Sequence, residues 1–411
     1  MGRRSSGSSS RRELNRPLLL FAIIALTLWG TTHVYVGRRL IAPASLSAGG
    51  RRRAWLVVAV LASIQPIVFV LDGVLANSGA YLAVQWAAYC YMGVFGLVLP
   101  FLVVRDLVCL PLALTRSMRG RGGTADAAPD PERRRFMTSS ANAALLGLSG
   151  TLSAIGVAGA RRRAEIVEID LPIPGLPPDL DGYRIVQLSD IHAGLTITAD
   201  YVEKIVAAVA RLDADLVAVT GDLVDGTVSR LDTAVSTIGD LRARDGVFFV
   251  TGNHEYYRDA PAWCQALQEL GLTVLTNEHR IIERGVARML IAGVTDLSAG
   301  QFVPEHASDP KKAMRGAPPC DLRLLLAHQP RSAPAAARAG FDLQLSGHTH
   351  GGQFFPWTLF IGLAHPFEAG LSRIGEMALY VSRGTGYWGP PMRLGAPSEI
   401  GVIRLIGEGD G

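Results

Sequence analysis

The apolar positions of this chain divide it near residue 160. Four stretches before that point, residues 17–37, 54–71, 80–104 and 136–160, lack Asp, Glu, Lys and Arg. About 20 apolar residues suffice to cross a bilayer as a helix. We therefore predict an N-terminal α-helical membrane region of about four spans. The fourth stretch is rich in small residues and Gly, so a surface or linker helix is its alternative.

The segments around these spans complete the predicted organisation. Residues 1–16 are rich in Ser, Gly and Arg, a composition typical of disorder. The first three spans fall within residues 17–105. Residues 106–135 mix Pro, Gly and charged side chains and are predicted to form a cytoplasmic linker. Residues 164–411 have the length and composition of a globular domain, which the proline-rich segment 164–182 introduces.

Short apolar runs alternate with amphipathic segments in this second part. Eight runs predict strands: 184–188, 216–220, 247–250, 289–293, 323–327, 343–345, 379–382 and 400–405. Three stretches with apolar residues at helical spacing predict helices: 198–212, 229–241 and 260–270. Strands that alternate with helices and then come closer together predict an α/β domain built on packed sheets.

The distribution of arginine predicts the orientation in the membrane. Residues 37–53 carry five Arg and residues 105–135 carry seven, whereas residues 72–80 carry none. Cytoplasmic loops are enriched in Lys and Arg, so the first two segments are predicted to be cytoplasmic. The fourth span then leads to an extracytoplasmic domain. The basic residues within 1–16 and at 161–163 disagree with this scheme.

A short motif precedes the fourth stretch. Arg133, Arg134, Phe136 and Met137 resemble a twin-arginine export signal, and residues 158–160 resemble a small-residue cleavage site. Glu132 departs from that pattern, and the motif is internal. The alternative is the basic flank of an ordinary span. Both interpretations place the following domain outside the cytoplasm, at the inner (plasma) membrane.

Cysteine usage gives little sign of a disulfide framework. The four cysteines are Cys90, Cys109, Cys264 and Cys320, and no two of them form a CxxC pair. One Cys264–Cys320 bridge stays open as an alternative. Two free thiols are the favoured interpretation.

Five polar motifs follow the apolar runs of the second part, where eight of the nine histidines also lie. They are Asp190-Ile191-His192, Gly221-Asp222, Gly252-Asn253-His254-Glu255, Ala327-His328 and Gly347-His348-Thr349-His350. Each motif alone is weak, because a lone histidine is more often a core residue than a ligand. Together, and each at a predicted strand end, they predict one site.

The donor set of these motifs predicts two divalent metal ions. Alternate side chains of an extended chain share one face, so Asp190 and His192 can bind one ion, and His348 and His350 share a face if their segment is extended. Asp222 can bridge two ions through its two oxygens. Oxygen and imidazole donors without thiolates favour Mn, Fe or Zn and argue against a structural zinc site.

These motifs resemble those of the calcineurin-like metallophosphoesterase superfamily, and specifically its bacterial membrane-associated or exported branch. The resemblance covers about residues 165–406 and implies a four-layer αββα sandwich. It also implies the site residues. Asp190, His192, Asp222 and His350 would hold the first metal, and Asp222, Asn253, His328 and His348 the second. His254 would be the catalytic histidine, with Asp225 orienting it.

The implied activity is a membrane-anchored phosphoesterase that hydrolyses phosphate mono- or diesters with a metal-activated hydroxide. Its expected partners are a phosphoester substrate and the lipid bilayer, with lipid or envelope phosphodiesters as candidate substrates. No basic surface with interleaved aromatic residues suggests nucleic acid. The alternative function is a membrane sensor or transporter with a metal-binding, non-catalytic domain. The near absence of ionisable residues in the spans, beyond His33 and Asp72, disfavours transport.

Three further features have open interpretations. Gly351-Gly352-Gln353 either lets backbone approach the site or forms a simple turn. The apolar segment 354–367 is either core or a rim that contacts the bilayer or an acyl chain. Residues 387–391 predict an irregular loop that walls the pocket. Arg258, Arg383 and Arg393 are candidates for contact with phosphate.

Overall fold

The computed structural model describes residues 9–75, 79–119 and 130–407. Within the helices, the side chains of residues 9–19, 21, 72–75, 80 and 112–119 lie outside this description. The chain divides into two compact units, Met1–Ser153 and Ala154–Gly411.

Long helices build the N-terminal unit: α1 (Ser9–Ile41), α2 (Ala48–Leu75), α3 (Gly79–Arg119) and most of α4 (Pro131–Ala160). Among the described residues, three stretches are long and apolar enough to cross a membrane: Ala48–Leu71, Tyr81–Pro111 and Pro131–Ala160. They coincide with the second, third and fourth predicted spans. The first predicted span, 17–37, lies in α1 but partly outside the residues whose side chains are described, and it stays a prediction.

Three helix boundaries differ from the sequence analysis. α1 begins at Ser9, so residues 9–16 are helical rather than disordered, while residues 1–8 lie outside the described part. α3 continues to Arg119 and α4 begins at Pro131, so residues 106–119 and 131–135 of the predicted linker 106–135 are helical. Leu, Ala, Arg and Met have high helix propensity, which allows these helices to extend beyond their apolar runs.

Asp106 and His33 of this unit have partners in their surroundings. The Asp106 carboxylate contacts Arg39 at 2.6 Å and Arg105 at 2.7 Å, and it accepts a hydrogen bond from the hydroxyl of Tyr35. The His33 ring stacks on Phe95 with centroids 4.0 Å apart. Pairing of this kind satisfies polar groups in apolar surroundings.

The C-terminal unit contains two six-stranded sheets. The strands of the first sheet are β1 (Glu165–Ile173), β2 (Arg184–Leu188), β3 (Leu216–Val219), β4 (Val247–Phe249), β5 (Thr273–Val274) and β12 (Glu399–Gly407). Those of the second are β6 (Glu278–Arg284), β7 (Ala287–Gly293), β8 (Leu322–Leu326), β9 (Leu343–Ser346), β10 (Gly370–Ile374) and β11 (Met377–Val381). The strand orders are β1-β12-β2-β3-β4-β5 and β10-β11-β9-β8-β7-β6.

Helices cover the outer face of each sheet. The helices of this unit are α5 (Ala199–Val209), α6 (Val228–Val235), α7 (Asn253–Tyr257), α8 (Ala260–Glu269), α9 (Pro310–Ala313), α10 (Ala333–Ala339) and α11 (Ile361–Ala364). Ile205, Leu231 and Trp263 pack α5, α6 and α8 on the first sheet, and Ala336 packs α10 on the second. Buried residues of both sheets form the central core between them. The predicted four-layer αββα sandwich is confirmed.

All eight predicted strands occur, with small shifts at their ends. Four strands were missed: β1, β5, β6 and β10. β1 lies in the proline-rich segment 164–182 that introduces the domain, and it pairs in parallel with β12. Because β1 is an edge strand, most of its side chains are exposed or half-buried, so its sequence lacks an apolar run.

The four cysteines are free thiols, so the alternative of a Cys264–Cys320 disulfide is wrong. Cys264 lies in the helical layer on the first sheet, whereas Cys320 packs against the outer layer of the second. The two central sheets separate these layers.

Candidate metal centre

The predicted site residues meet at one edge of the two sheets. β2, β3 and β4 are parallel neighbours in the first sheet, as are β8 and β9 in the second. Parallel strands bring their carboxyl ends to the same edge, where ligand sites form. Asp190 and His192 follow β2, Asp222 follows β3, Asn253 follows β4, His328 follows β8, and His348 and His350 follow β9.

The Asp222 carboxylate lies at the centre of this group. Its Oδ2 atom is 3.1 Å from Nε2 of His328, 3.8 Å from Nε2 of His192 and 3.9 Å from Nε2 of His254. Its Oδ1 atom accepts the backbone N–H of His254 at 2.9 Å. Nitrogen atoms from both sheets therefore approach a single carboxylate.

The imidazole rings beside Asp222 form two pairs. Nε2 of His192 is 3.1 Å from Nε2 of His350, and Nε2 of His328 is 3.2 Å from Nδ1 of His348. With Asp190, the first pair forms one group of potential metal donors. The second pair forms another group with Asp222. Two donor groups on either side of a shared carboxylate match the chemistry of two adjacent cations.

Asn253 carries an unsatisfied oxygen. Its side chain is buried, and Oδ1 has no hydrogen-bond partner among the described residues. Leaving a buried acceptor unpaired costs about 1–3 kcal/mol. A cation ligated by this oxygen would remove that cost, so the residues fit the metals that the motifs imply.

Hydrogen bonds at Nδ1 determine which ring nitrogen stays free to bind a metal in two histidines. His328 donates from Nδ1 to the carbonyl oxygen of Thr220 at 2.8 Å. His192 Nδ1 lies 3.1 Å from Oδ1 of Asp225 and donates to that carboxylate. In the neutral ring, a proton on Nδ1 leaves the Nε2 lone pair free to bind a metal.

Much of the site has a strained backbone. Asp190, His192, Asp222, His348 and His350 all have φ between 50° and 73°. Residues other than Gly rarely adopt positive φ, and such strain persists only where the surrounding structure holds it. The fold therefore tolerates backbone strain at these five residues, and their side chains point to one site.

His254 lies beside the two donor groups. Its Nδ1 is 2.5 Å from Oδ1 of Asp225. Burial favours the neutral ring, but the carboxylates of Asp222 and Asp225 outweigh it and raise the pKa of His254 to about 9. The His254 ring also contacts Tyr257 and Trp388, with centroids 5.2 and 5.5 Å away. Both aromatic side chains are about half exposed. An apolar wall therefore adjoins this histidine.

Asp225 has a wider role than the sequence indicated. The motif resemblance paired it with His254 alone, whereas the structure places the same oxygen against both His254 and His192. Burial would raise the pKa of Asp225, but the two histidines hold it well below its usual range. One carboxylate thus orients a predicted ligand and the predicted catalytic histidine together.

The sequence predicted no role for Glu255, although this residue belongs to the motif Gly252-Asn253-His254-Glu255. Its fully buried carboxylate accepts the backbone N–H groups of Asp222, Leu223, Val224 and Gly252. Burial and the charge of Asp222 raise the pKa of Glu255 to about 7. Glu255 therefore holds the loop that carries Asp222 against the start of α7.

The arginine candidates differ in their surroundings. Arg383 pairs with the buried Glu399 at 2.5 Å. Arg393 is 3% exposed and lies against His350. Arg258 follows α7 and is half-buried. Glu399 therefore occupies the guanidinium group of Arg383, and the backbone around His350 occupies that of Arg393.

The apolar segment 354–367 is only partly core. Phe354 is buried, but Trp357, Leu359, Phe360 and Leu363 are exposed by 41%, 68%, 47% and 86%. The core interpretation is wrong for these four residues. They form an exposed surface that we call the apolar rim.

The apolar rim lies close to the metal centre. The His365 ring packs edge-on against His348, with centroids 5.3 Å apart. Gly352, at φ 77°, leaves space for the backbone of Thr358, which a Cβ would meet at 2.6 Å. The Gly351-Gly352-Gln353 motif therefore allows the rim backbone to approach the ligand loop.

A two-sheet α/β sandwich with paired donor groups at its strand ends defines a class of metal-dependent hydrolase. The family model described as calcineurin-like phosphoesterase matches residues 183–352. A transmembrane protein with metallophosphoesterase domain from Danio rerio is 40% identical over 266 residues, which are 63% of this chain and 61% of that protein. The protein of the same description from Bos taurus is 35% identical over 408 residues, covering 96% and 90% of the two chains.

A bacterial relative matches along nearly its whole length. An uncharacterized metallophosphoesterase from Campylobacter jejuni is 32% identical over 394 residues, covering 95% of this chain and 99% of that protein. The chain belongs to the calcineurin-like phosphoesterase family. It is a metal-dependent phosphoester hydrolase that is associated with a membrane. The predicted family, fold class and enzyme class are confirmed.

Proposed function

We propose that the chain is a membrane-anchored phosphoesterase that works with two divalent metal ions, Mn, Fe or Zn. Asp190, His192, Asp222 and His350 would hold the first ion, and Asp222, Asn253, His328 and His348 the second. The observation that carries this proposal is the pair of donor groups on either side of Asp222. The orphaned Oδ1 of Asn253 supports the second site independently.

The chain's own residues have separate tasks in the proposed reaction. Divalent metals, when bound, supply Lewis-acid charge for phosphate oxygens and lower the pKa of a coordinated water. Asp225 orients the rings of His192 and His254 through their Nδ1 atoms. His254 turns Nε2 towards the site and would give a proton to the departing alkoxide oxygen. Glu255 holds the Asp222 loop in place while substrate binds.

Purified full-length protein in detergent tests this function. We expect it to hydrolyse bis-p-nitrophenyl phosphate or p-nitrophenyl phosphate, to lose activity with a chelator and to regain it with Mn²⁺. The metal content of the same preparation is measured alongside. Metal bound without hydrolysis of either ester would favour the alternative, a sensor or transporter with a non-catalytic metal domain.

The exposed aromatic and aliphatic side chains favour a lipid phosphoester as the substrate. Trp388 and Tyr257 adjoin His254, where the leaving group would lie, and His365, two residues after Leu363 of the apolar rim, adjoins His348. Exposed apolar patches beside a polar site are typical of surfaces that contact lipid or ligand. The membrane anchorage of the chain brings such substrates within reach.

Replacing Trp357 and Phe360 together by Ser tests the lipid proposal. Burying a large apolar side chain contributes about 1.5–3 kcal/mol, so we expect hydrolysis of phospholipid vesicles to fall at least ~10-fold. Hydrolysis of the soluble aryl esters should change by less than about twofold, because the rim contributes no predicted ligand. The control is Val286→Ser, which changes an apolar side chain that is 92% exposed on the β6–β7 turn. Equal losses on both kinds of substrate would contradict the proposal.

We further propose that the chain is a multi-pass protein of the plasma membrane with four spans and an extracytoplasmic catalytic domain. The arginine-rich segments 37–53 and 105–135 support this orientation. A reporter that is active only after export, fused behind Gly411, measures the sidedness. Activity of a cytoplasmic reporter at that position would reverse it.

A further inference from the structure

Arg393 occupies an unusual place for a charged side chain. It is 3% exposed, and no ion pair with a carboxylate is found for it among the described residues. Its guanidinium donates instead to backbone carbonyl oxygens: Nε to Gly386 at 3.0 Å, and Nη1 to His350 at 3.0 Å and Ala396 at 3.2 Å. Burying a charge without a counter-ion is costly, so such a residue needs a specific task.

The guanidinium also contacts the ring of a predicted ligand. Nη2 of Arg393 lies 3.2 Å from Nδ1 of His350, on the side of the ring that faces away from Asp190 and His192. Nε2 of the same ring lies 3.4 Å from Oδ1 of Asp190. Arg393 thus holds the carbonyl group of His350 by a hydrogen bond, and its guanidinium lies beside the ring.

The backbone at His350 needs such external support. His350, Gly351, Gly352 and Gln353 all have positive φ, from 50° to 77°. The loop of residues 388–396, which we call the clamp loop, ties this strained run at both ends. Arg393 binds its first residue, and the side chain of Gln353 donates to the carbonyl oxygens of Trp388 and Pro390.

The last turns of α4 support the clamp loop from the other side. These turns belong to the same compact unit as the site. The backbone N–H of Arg393 donates to the carbonyl oxygen of Gly156 at 2.9 Å. A Cβ built on Gly159 would fall on the carbonyl oxygen of Arg393, closer than van der Waals contact permits. Glycine is therefore required at 159 for the helix end and the clamp loop to meet.

We infer that Arg393 is a positioning residue for the metal ligand His350, and that the end of the α4 span sets the position of Arg393. Gly159 contacts Arg393, and Arg393 in turn contacts His350. This inference rests on the proposed function, because it takes His350 as a metal ligand. It also requires that α4 stay attached, and Ala160, at the end of the motif that resembles a cleavage site, is fully buried in the core.

Full-length variants in detergent test the inference by metal binding rather than by activity alone. Removing a residue that orients a metal ligand typically weakens metal affinity about 10–100-fold. We expect that loss for the first of two Mn²⁺ ions in Arg393→Met, with the second ion retained. Arg393→Lys should not restore affinity, because one ammonium group does not span several carbonyl groups. Gly159→Ala should weaken the same ion by of order tenfold.

A matched control separates this contact from general effects on the helix. Gly150 also lies in α4, and a Cβ there meets no described atom within 4 Å. Alanine stabilises a helix interior by about 1 kcal/mol relative to glycine, so Gly150→Ala should keep both ions at wild-type affinity. Gly159→Ala has the same helical benefit, and any loss of metal must come from its contact with Arg393.

The outcomes distinguish the inference from the proposed function. Wild-type affinity in both Arg393→Met and Gly159→Ala would overturn the inference and leave the two-metal proposal intact. Loss of both ions in Arg393→Met together with wild-type binding in Gly159→Ala would also overturn it, because it would indicate general unfolding. A wild-type protein that binds no metal would overturn the proposed function and this inference with it. Intact mass showing a chain that begins at Arg161 would remove the contact that the inference needs.

Discussion

Asp222→Asn is expected to remove bound metal from both sites and to lower kcat/KM by about a thousandfold or more. Oδ2 of Asp222 lies near a histidine of each donor group, and an amide in its place offers one oxygen and no charge. The change is nearly isosteric, so the fold should persist. Elemental analysis of purified protein gives metal per chain, and hydrolysis of the soluble esters gives the rate.

A control with the same chemical change is available on the surface. Asp232 is exposed on α6, so Asp232→Asn should leave metal content and rate unchanged. If Asp222→Asn kept two metals and full activity, the shared-carboxylate arrangement would have to be abandoned. If it kept one metal, Asp222 would belong to a single site.

His254→Ala is expected to lower kcat by about 10²–10⁴-fold while the protein retains both metals. Nδ1 of His254 is occupied by Asp225, and the ring belongs to neither of the two donor groups assigned to the metals, although it forms a third set of potential donors with His192 and Asp225. Loss of this side chain should therefore slow proton transfer to the leaving group and leave the affinity for metal unchanged. Metal content and turnover of the same preparation check both halves of the expectation.

The choice of leaving group tests the role of His254 more sharply. An aryl oxide leaves readily without protonation, whereas an alkoxide needs a proton from an acid. The loss in His254→Ala should therefore be larger for an alkyl ester than for a p-nitrophenyl ester. An equal loss for both esters would indicate that His254 binds or orients substrate instead. Loss of metal in this variant would make His254 a ligand.

Local pattern predicted structure best where it agrees with tertiary position. Strands inside a sheet with both faces covered are mostly apolar, and all eight predicted strands lie inside their sheets. The strand β1 was missed because an edge strand needs no apolar run. The helical extension at 9–16 was missed because polar residues continue a helix without an apolar signature, and the one at 106–119 because Arg105 and Asp106 interrupt the apolar run that continues after them.

The exposure of residues 357–363 also lay beyond local pattern. An apolar segment of that length occurs in cores and on surfaces alike, and only the tertiary packing distinguishes the two. Phe354 turns inward, whereas Leu363 is almost fully exposed. The sequence favoured the core interpretation, which holds for Phe354 and fails for the apolar rim.

The sequence by itself determined the chemical inventory of this protein: the apolar stretches, the family motifs and the seven side chains that could bind metal. Each of these is encoded by residues that are neighbours along the chain. Only the tertiary structure decided which imidazole rings face each other across Asp222, that Asp225 serves two histidines, and that Glu255 holds the Asp222 loop. It alone brought Gly159 against Arg393, 234 residues later. Such contacts depend on how strands and helices pack, and packing joins residues between which the chain carries no local pattern.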